Sequence, residues 1–562
     1  MVNWQSKKLG DILLLANGVT LAVMINLVAS SSFFRIDLTE ENRYTIKQPT
    51  VELLQNLDDD IYIEVFLAGD LNAGFKRLQR ATEEMLDEFR ISSQNKIHYS
   101  FTNPESALGK KAQSEFMNEL VAKGINPINV IDIKGGQRTE KLVFPGAVIN
   151  YGGFEKGVML LKGNRASGSD QVLNQSIEGL EYEFSSAIYQ MTNSDRKRIG
   201  LLSGHGELDS LQIASFNNAL LDQYDVFKVM LDRKKVIESY DLLIMPKPIK
   251  PFSELDKLKI DQFVMGGGRM LMLIDRLDAV MDSASRQDYF AFPYDLNLDD
   301  LLFKYGVRVN LDLVQDKIAA RYPIVTGKVG NRPQLMQMDW PFFPLINQYA
   351  EHPSTRNLDA TLLKFASSID TVKADGVSKT PLLFTSPNSR KLGTPVKVSV
   401  NDLRTNVDPN LFQTAHLPVS YLLEGEFTSL YKNRFLPEGV DSDFSLITKS
   451  KPSKIIIIAD GDVARNDINP RTGQPQQLGF DPISSYTFAN QELLLNMVSY
   501  LVNEDGLINT RSKDVKIRPL NKVKIAEEKS FWQFINLVVP IALLLIYGIT
   551  RSYIRKRKFT TR

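Results

Sequence analysis

The residues most suggestive of chemistry lie in the stretch "RIGLLSGHGELD", residues 198–209. His205 and Glu207 occupy a glycine-flanked turn after an apolar run, and an imidazole and a carboxylate can act as general base and acid. Ligands and catalytic groups collect beyond the carboxyl ends of parallel strands, so the position suits a site. The alternative is structural, because glycines permit a tight turn that His205 and Glu207 would pin by hydrogen bonds. The sequence favours this structural role over recognition of a ligand or partner, and recognition over catalysis.

The surrounding residues do not complete an active site. Ser203 precedes the first glycine of the turn, whereas the nucleophile elbow G-x-S-x-G needs its serine between two glycines. The chain has no cysteine, which excludes thiol nucleophiles and thiolate metal sites. Histidine is rare as well, and the other histidines are His98, His352 and His416. We therefore predict no catalytic residues and no enzymatic activity.

Two further motifs are candidates for binding. The segment "ADGDVARND", residues 459–467, carries Asp460, Asp462 and Asp467, which could hold a hard cation, although aspartates at strand ends more often cap turns. The run "VMGGGRM" lacks the spacing of a dinucleotide-binding loop, and no G-x-x-x-x-G-K-[ST] occurs. The sequence thus predicts no metal, no cofactor and no P-loop ATPase activity in this chain.

A proline- and aromatic-rich segment, "MDWPFFPLINQYAEHP", is a third candidate. Trp340, Phe342 and Phe343 could form a stacking surface for a sugar or peptide, which would make the protein a ligand-binding module. An aromatic segment of this kind is equally often a plug buried in the core. Exposure of these three rings in the structure discriminates between the two interpretations.

The composition limits the remaining functions. The chain has 562 residues, which suggests about three or four domains. With 43% apolar residues, 24% charged residues and a net charge of +1, it is globular and has no charge bias toward nucleic acid.

Near each end of the chain lies an uncharged run that is long enough to cross a membrane. About 23 uncharged residues lie between Asp11 and Arg35, and about 21 lie between Lys529 and Arg551. We predict two transmembrane helices. A cleaved signal peptide is the alternative for the first run, but the run is long for that purpose.

Basic residues set the predicted orientation of these spans. Lys7 and Lys8 precede the first span, and the second is followed by the basic tail "RSYIRKRKFTTR". By the positive-inside tendency both termini are cytoplasmic and the bulk of the chain is periplasmic, with the tail in contact with membrane lipid. This arrangement places the protein in the inner membrane.

Each predicted span contains polar amides that suit packing between membrane helices. These residues are Asn17, Asn26, Gln533 and Asn536. Amides in lipid often hydrogen-bond to a neighbouring helix, which here would be part of a partner protein. Asn26 and Gln533 alternatively lie near enough to the interface to reach water.

The spacing of apolar residues predicts an α/β fold in two extracytoplasmic domains. Strand, helix and strand patterns alternate over 35–165, which we assign to a small first domain, after 1–34 with the first span. From 175 to 515 the short apolar runs "RIGLLSG", "YDLLIMP", "RMLMLID" and "KIIIIAD" predict parallel strands of a doubly wound sheet. The less regular stretch at about 280–450 is predicted to be an insertion, and 516–562 holds the second span and tail.

Several segments resemble the GldG family, the gliding-motility-associated auxiliary subunits of ABC transporters. They are "RIDLTEENRYTI", "KRIGLLSGHGE", "YDLLIMPKPIKPFSELDKLKIDQFVMGGGRMLMLID" and "FANQELLLNMVSYLVNEDGLINTRSK". The resemblance covers nearly the whole chain and implies a non-catalytic partner of a multi-span permease and a cytoplasmic ATPase. It supplies no catalytic residues. Two membrane anchors without a lipidated cysteine depart from the usual substrate-binding protein.

The physical interpretation agrees with that role. A large body anchored at both ends cannot diffuse away to collect solute, so its useful contacts are with the permease and with envelope or motility components. A ligand-binding module and a cell-envelope hydrolase that uses His205 and Glu207 are the alternatives.

Overall fold

The computed structural model describes residues 7–31, 45–106, 109–134, 137–163, 169–193, 196–233, 237, 240–286, 288–329, 332–404, 408–440, 444–502, 506, 507, 510 and 522–560. The chain divides into two compact units, Met1–Asp514 and Val515–Arg562. The fold is mixed α/β, as the alternating patterns predict. The described helices are α1 Lys7–Ser31, α2 Gln48–Gln55, α3 Ala73–Ser92, α4 Lys110–Ala122, α5 Ser169–Thr192, α6 Ala214–Leu221, α7 Glu254–Met265, α8 Met281–Arg286, α9 Asp299–Tyr305, α10 Asn490–Val502 and α11 Lys522–Thr560.

The described strands fall into one large sheet, one four-stranded sheet and several small ones. They are β1 Ile61–Val65, β2 Ile97–Phe101, β3 Ile128–Lys134, β4 Gln137–Val143, β5 Gly146–Tyr151, β6 Phe154–Met159, β7 Arg198–Ser203, β8 Asp225–Met230, β9 Leu242–Pro246, β10 Arg269–Leu273, β11 Tyr289–Ala291, β12 Val307–Val309, β13 Asp312–Asp316, β14 Ala319–Val329, β15 Arg332–Ile346, β16 Gln348–Tyr349, β17 Thr361–Leu362, β18 Ile369–Thr371, β19 Val377–Phe384, β20 Ser389–Gly393, β21 Val396–Val398, β22 Pro418–Gly425, β23 Ser453–Ile458, β24 Phe480–Asp481 and β25 Tyr486–Thr487.

The first α/β region is built on a sheet of order β2-β1-β5-β6, in which β1 and β2 are parallel. Helix α3 begins where the side chain of Asn72 accepts a hydrogen bond from the Phe75 backbone N–H at 3.0 Å. Its apolar stripe packs into one core with the sheet and with α5. The predicted boundary between 165 and 175 is therefore not where this core ends, because buried residues of α5 such as Leu180 and Phe184 belong to it.

The second region is built on an eight-stranded sheet of order β16-β19-β22-β23-β10-β9-β7-β8. The four apolar runs singled out in the sequence form β7, β9, β10 and β23, and these strands are adjacent and parallel. Residues 455–458 of β23 are fully buried isoleucines, each of which stabilises the fold by about 1.5–3 kcal/mol. Apolar clusters cover both faces of the sheet, which explains why these strands read as continuous apolar runs.

Local residues set both ends of helix α7. The Ser253 hydroxyl accepts a hydrogen bond from the Asp256 backbone N–H at 3.1 Å, and the helix stops before the glycines at 266–268. Buried residues of α10 such as Leu494 and Met497 pack on the opposite face of the sheet from α7. The two helices thus cover the parallel strands that carry the candidate site.

The stretch at 280–450 is more regular than its sequence suggests. It forms the long antiparallel hairpin of β14 and β15, and it also supplies β16, β19 and β22 to the large sheet. The predicted insertion into the second domain thus includes three strands of the large sheet, and β22 pairs directly with β23 in antiparallel register. The polar and bulged character of β19 hides it from a search for apolar runs.

Each unit contains an apolar helix near a chain terminus. Within α11, Glu527–Arg557 is long and apolar enough to cross a membrane by length and composition. In α1 the described apolar segment, Leu13–Asn26, is shorter than a span. The predicted end of the first span at residue 34 and the predicted segment from 516 to 521 lie outside the described residues.

Candidate functional site

The candidate site lies at the carboxyl ends of the parallel strands of the large sheet. The turn with His205 follows β7, Lys247 follows β9, Asp275 follows β10, and Asp460 with Asp462 follows β23. Because these strands are parallel neighbours, their carboxyl ends meet at one edge. The edge carries two polar clusters, which we call the His205 clamp and the Lys247 cluster.

The His205 clamp consists of His205, Glu207, Phe252 and Asp256. The imidazole Nδ1 lies 3.5 Å from Glu207 Oε1, and Nε2 lies 3.4 Å from Asp256 Oδ2 at the start of α7. The ring also stacks on Phe252 with 3.9 Å between centroids and an interplanar angle of 13°. His205 thereby joins the turn after β7 to α7.

Backbone contacts reinforce the clamp. The His205 N–H donates to Glu207 Oε2 at 2.7 Å, and the His205 carbonyl accepts from the backbone N–H groups of Ile249 and Lys250 at 3.0 and 2.9 Å. Gly206 has φ of +75°, and a Cβ there would come within 2.5 Å of Ile249. Glycine is required at this position by both conformation and space.

The ion pairs shift the acidities of the clamp residues. Burial lowers the pKa of His205, but the hydrogen bonds and charges of Asp256 and Glu207 outweigh burial and raise this pKa to about 9. Burial raises the pKa of Asp256, but His205, Ser253 and Lys259 bring it to about 2. At neutral pH His205 is therefore a cation held between two carboxylates. Such an imidazolium has no lone pair with which to act as a general base.

A cavity of about 520 Å³ adjoins the clamp on the side of β8. Its lining includes Ser203, Gly204, Glu207 and Asn217, and the Glu207 side chain is only 3% exposed. Glu207 lies beside both His205 and the cavity, so a ligand that used the Glu207 carboxylate would compete with His205 for it. The arrangement favours the structural role of His205 and Glu207.

The Lys247 cluster is a buried charge network that the sequence did not predict. Lys247 Nζ lies 2.8 Å from Asp275 Oδ2 and 2.7 Å from Asp462 Oδ1, and these side chains are no more than 7% exposed. Asp460 accepts backbone hydrogen bonds from Lys364 and Asp462, both at 2.7 Å. The ammonium thus bridges β9, β10 and β23 at their carboxyl ends.

Burial and charge set the ionisation of this cluster. Burial lowers the pKa of Lys247, but Asp275 and Asp462 outweigh it and raise this pKa. Burial together with neighbouring carboxylates raises the pKa of Asp460 far above its usual value. In Asp462, by contrast, burial is outweighed by Lys247 and Arg465, and the pKa is lowered. A protonated lysine is the cation of this cluster.

The aspartates considered for a metal site serve other contacts. Asp460 and Asp462 belong to the Lys247 cluster, whereas Asp467 lies 3.4 Å from Lys364 Nζ. Across the described residues, no group of three or more histidine, aspartate and glutamate side chains could hold a metal ion. The turn-capping alternative accounts for Asp460, which accepts the Asp462 N–H two residues ahead.

The predicted aromatic surface is buried. Trp340, Phe342 and Phe343 are 1%, 3% and 8% exposed and lie on β15, where they pack on one another and on Phe365. They belong to the apolar core under the hairpin. The prediction of a stacking surface for a sugar or peptide is wrong for these residues, because their faces are covered by protein.

The four membrane-helix amides lie on the two apolar terminal helices. Asn17 and Asn26 are exposed on α1, and Gln533 and Asn536 are exposed on α11. Their predicted role in packing against a partner helix stays a prediction. The Lys247 cluster had a faint sequence signal, since "MPK", "LIDR" and "IADGD" each place a charge directly after an apolar strand run.

Comparisons with known proteins place this edge inside a recognised family region. The sequence model of a family of auxiliary proteins, described as ABC-type uncharacterized transport system, matches residues 196–497. A model described as a domain of unknown function matches residues 40–150. No curated protein matches closely enough to count as a relative. Among solved structures, "mmIFT52 N-terminal domain" is 12% identical with a TM-score of 0.32, covering 55% of this chain and 98% of that one.

The first family match spans more than half of the chain and contains β7, β9, β10 and β23 together with both polar clusters. Within each cluster the cationic side chain is ion-paired with two carboxylates of the same fold. The chain belongs to the family of auxiliary proteins of ABC-type transport systems.

Proposed function

We propose that the protein is a non-catalytic, membrane-anchored subunit of an ABC transporter complex associated with gliding motility. Its two apolar helices pack on a multi-span permease, which in turn binds a cytoplasmic P-loop ATPase. The α/β regions lie in the periplasm and contact envelope or motility components. The protein resides in the inner membrane with both termini in the cytoplasm.

The observation that carries the proposal is the auxiliary-family match over residues 196–497, which includes the edge of the sheet most suited to chemistry. At that edge His205 is ion-paired on both ring nitrogens and stacked on Phe252. An imidazolium held this way supports a structural rather than a catalytic role. The apolar length of Glu527–Arg557 supports membrane anchoring.

The finer parts of the proposal rest on the sequence. The resemblance to the GldG family supports gliding motility, and the basic residues outside the two apolar runs support the orientation. The short runs that read as strands buried on both faces support a doubly wound second domain. A body anchored at both ends is suited to transmitting movement between permease and envelope.

The test is capture of the protein from native membranes in mild detergent, with identification of associated proteins by mass spectrometry. We expect a multi-span permease and a P-loop ATPase in stoichiometric amounts. Recovery of the protein alone would contradict the proposal.

A matched pair of variants locates the contact within α11. Asn536→Leu removes an exposed amide from the apolar helix and is expected to reduce recovery of the permease. Thr550→Val is the control, because the Thr550 hydroxyl already donates to the Ile546 carbonyl in the same helix at 2.7 Å. Equal recovery with both variants would place the contact elsewhere.

The hydrolase alternative has its own test. The double variant His205→Ala/Glu207→Ala removes the proposed acid–base pair. Retained motility with a normal protein level would reject the hydrolase. Lost motility with normal levels and intact capture of the permease would support it against the accessory role.

A further inference from the structure

A second cavity, of about 500 Å³, lies between the first α/β region and α10. One wall is formed by β6 and α5, and the other by α10 and the segment before it. The walls are joined by Lys162 Nζ, which lies 2.8 Å from Glu183 and 3.4 Å from Glu492. The cavity is separate from the His205 clamp, and its volume is within the usual range for small-molecule sites.

Asn496 places an unsatisfied hydrogen-bond donor at this cavity. The residue lines the cavity from α10, is 5% exposed, and its amide Nδ2 is buried with no hydrogen-bond partner among the described residues. A buried N–H donor without an acceptor costs about 1–3 kcal/mol. A ligand in the cavity that carried an acceptor would satisfy this donor.

The lining indicates the chemistry of that ligand. Six amide side chains contribute both donors and acceptors: Asn126, Gln190, Gln223, Gln477, Gln491 and Asn496. Gln190 on α5 donates to Gln223, which follows α6, at 2.9 Å, and it accepts a hydrogen bond from Lys156. Lys162 is already paired with two carboxylates, so its ammonium is not a free cation for an anionic ligand.

We propose that this cavity binds an uncharged small molecule that presents an amide carbonyl oxygen to Asn496 Nδ2. An amide carbonyl is the strong neutral acceptor that matches the buried donor, and the neighbouring side-chain amides satisfy the ligand's own N–H and O–H groups. Two sources share this chemistry, an N-acetylated saccharide and a blocked peptide. The site is independent of the accessory role and would make the subunit responsive to a soluble compound.

The test uses the full-length protein in detergent, with N,N′-diacetylchitobiose and N-acetyl-alanyl-alanine amide as probes, each up to about 20 mM. Binding is measured as the rise of the thermal unfolding midpoint with probe concentration. We expect one probe to bind, and the identity of that probe assigns the source. Absence of binding by both would overturn the proposal.

Asn496→Leu separates a ligand contact from a structural one. Leucine has similar volume and removes the unsatisfied donor, so we expect the probe-free protein to be at least as stable while binding weakens by about tenfold or more. Asn174→Leu is the control, because Asn174 Oδ1 is also buried without a partner but the residue does not line the cavity. Unchanged binding by Asn496→Leu, or a marked loss of probe-free stability, would refute the assignment.

Discussion

The His205 clamp makes the stability of this protein depend on pH in a way that can be calculated. The pKa of His205 is about 9 in the folded protein, against 6.5 for an ordinary histidine. Because the folded value is the higher one, the contribution is fully present below about pH 6.5 and is lost as pH rises through 9. The shift corresponds to roughly 3 kcal/mol, nearly all of it lost by about pH 10.

The assay is denaturant unfolding of the full-length protein in detergent between pH 6.5 and 10, compared with the variant His205→Gln. The side chain is 11% exposed, so solvent screening reduces the effect only modestly. We expect the stability difference between the two proteins to narrow as pH rises. Exchange of the Ile249 and Lys250 amides, which donate to the His205 carbonyl, reports the same loss locally.

A matched control removes a histidine that is paired on the surface. His98 lies 3.5 Å from Asp60, but its side chain is 46% exposed, so the pair is screened by water. We expect the free energy of unfolding of His98→Gln to match that of the natural sequence from pH 6.5 to 10. A difference between His205→Gln and the natural sequence that stays constant from pH 6.5 to 10 would refute the reasoning, since the clamp would then contribute packing and no charge.

Three further predictions concern the sheet edge and the anchors. Lys247→Met leaves buried carboxylates without their cation and is expected to lower the free energy of unfolding, measured with denaturant, by about 3–5 kcal/mol. Adding Asp462→Asn should recover part of this loss. No recovery would contradict the ion pair between Lys247 and Asp462. Gly206→Ala is expected to lower the free energy of unfolding by about 1–3 kcal/mol, more than Gly204→Ala does, because of these two positions only the Cβ at 206 would contact another residue. Equal thermal unfolding midpoints for the two variants would contradict this prediction. A chain ending at residue 521 should stay in carbonate-washed membranes if the first apolar run also spans, and its release would leave α11 as the single anchor.

Strands and helix ends could be predicted from the sequence where local residue patterns decide the structure. The apolar runs that became β9, β10 and β23 were recognisable because strands buried on both faces need no polar residues. The ends of α7 were predictable because Ser253 and the glycines at 266–268 satisfy or stop the helix through neighbouring atoms. Strands β19 and β22 were missed within 280–450, since mixed polarity and register shifts give no clear alternation.

The sequence by itself determined the α/β class, the apolar lengths at both ends and the position of the His205 turn at the end of a strand. Only the tertiary structure decided which groups meet there. His205 contacts Asp256 across 51 positions, and Lys247 joins carboxylates from two other strands. The tertiary structure also decides that Trp340 is buried in the core. The physical reason is that periodicity and capping act within a few residues, whereas ion pairing and burial depend on the order in which distant strands join the sheet.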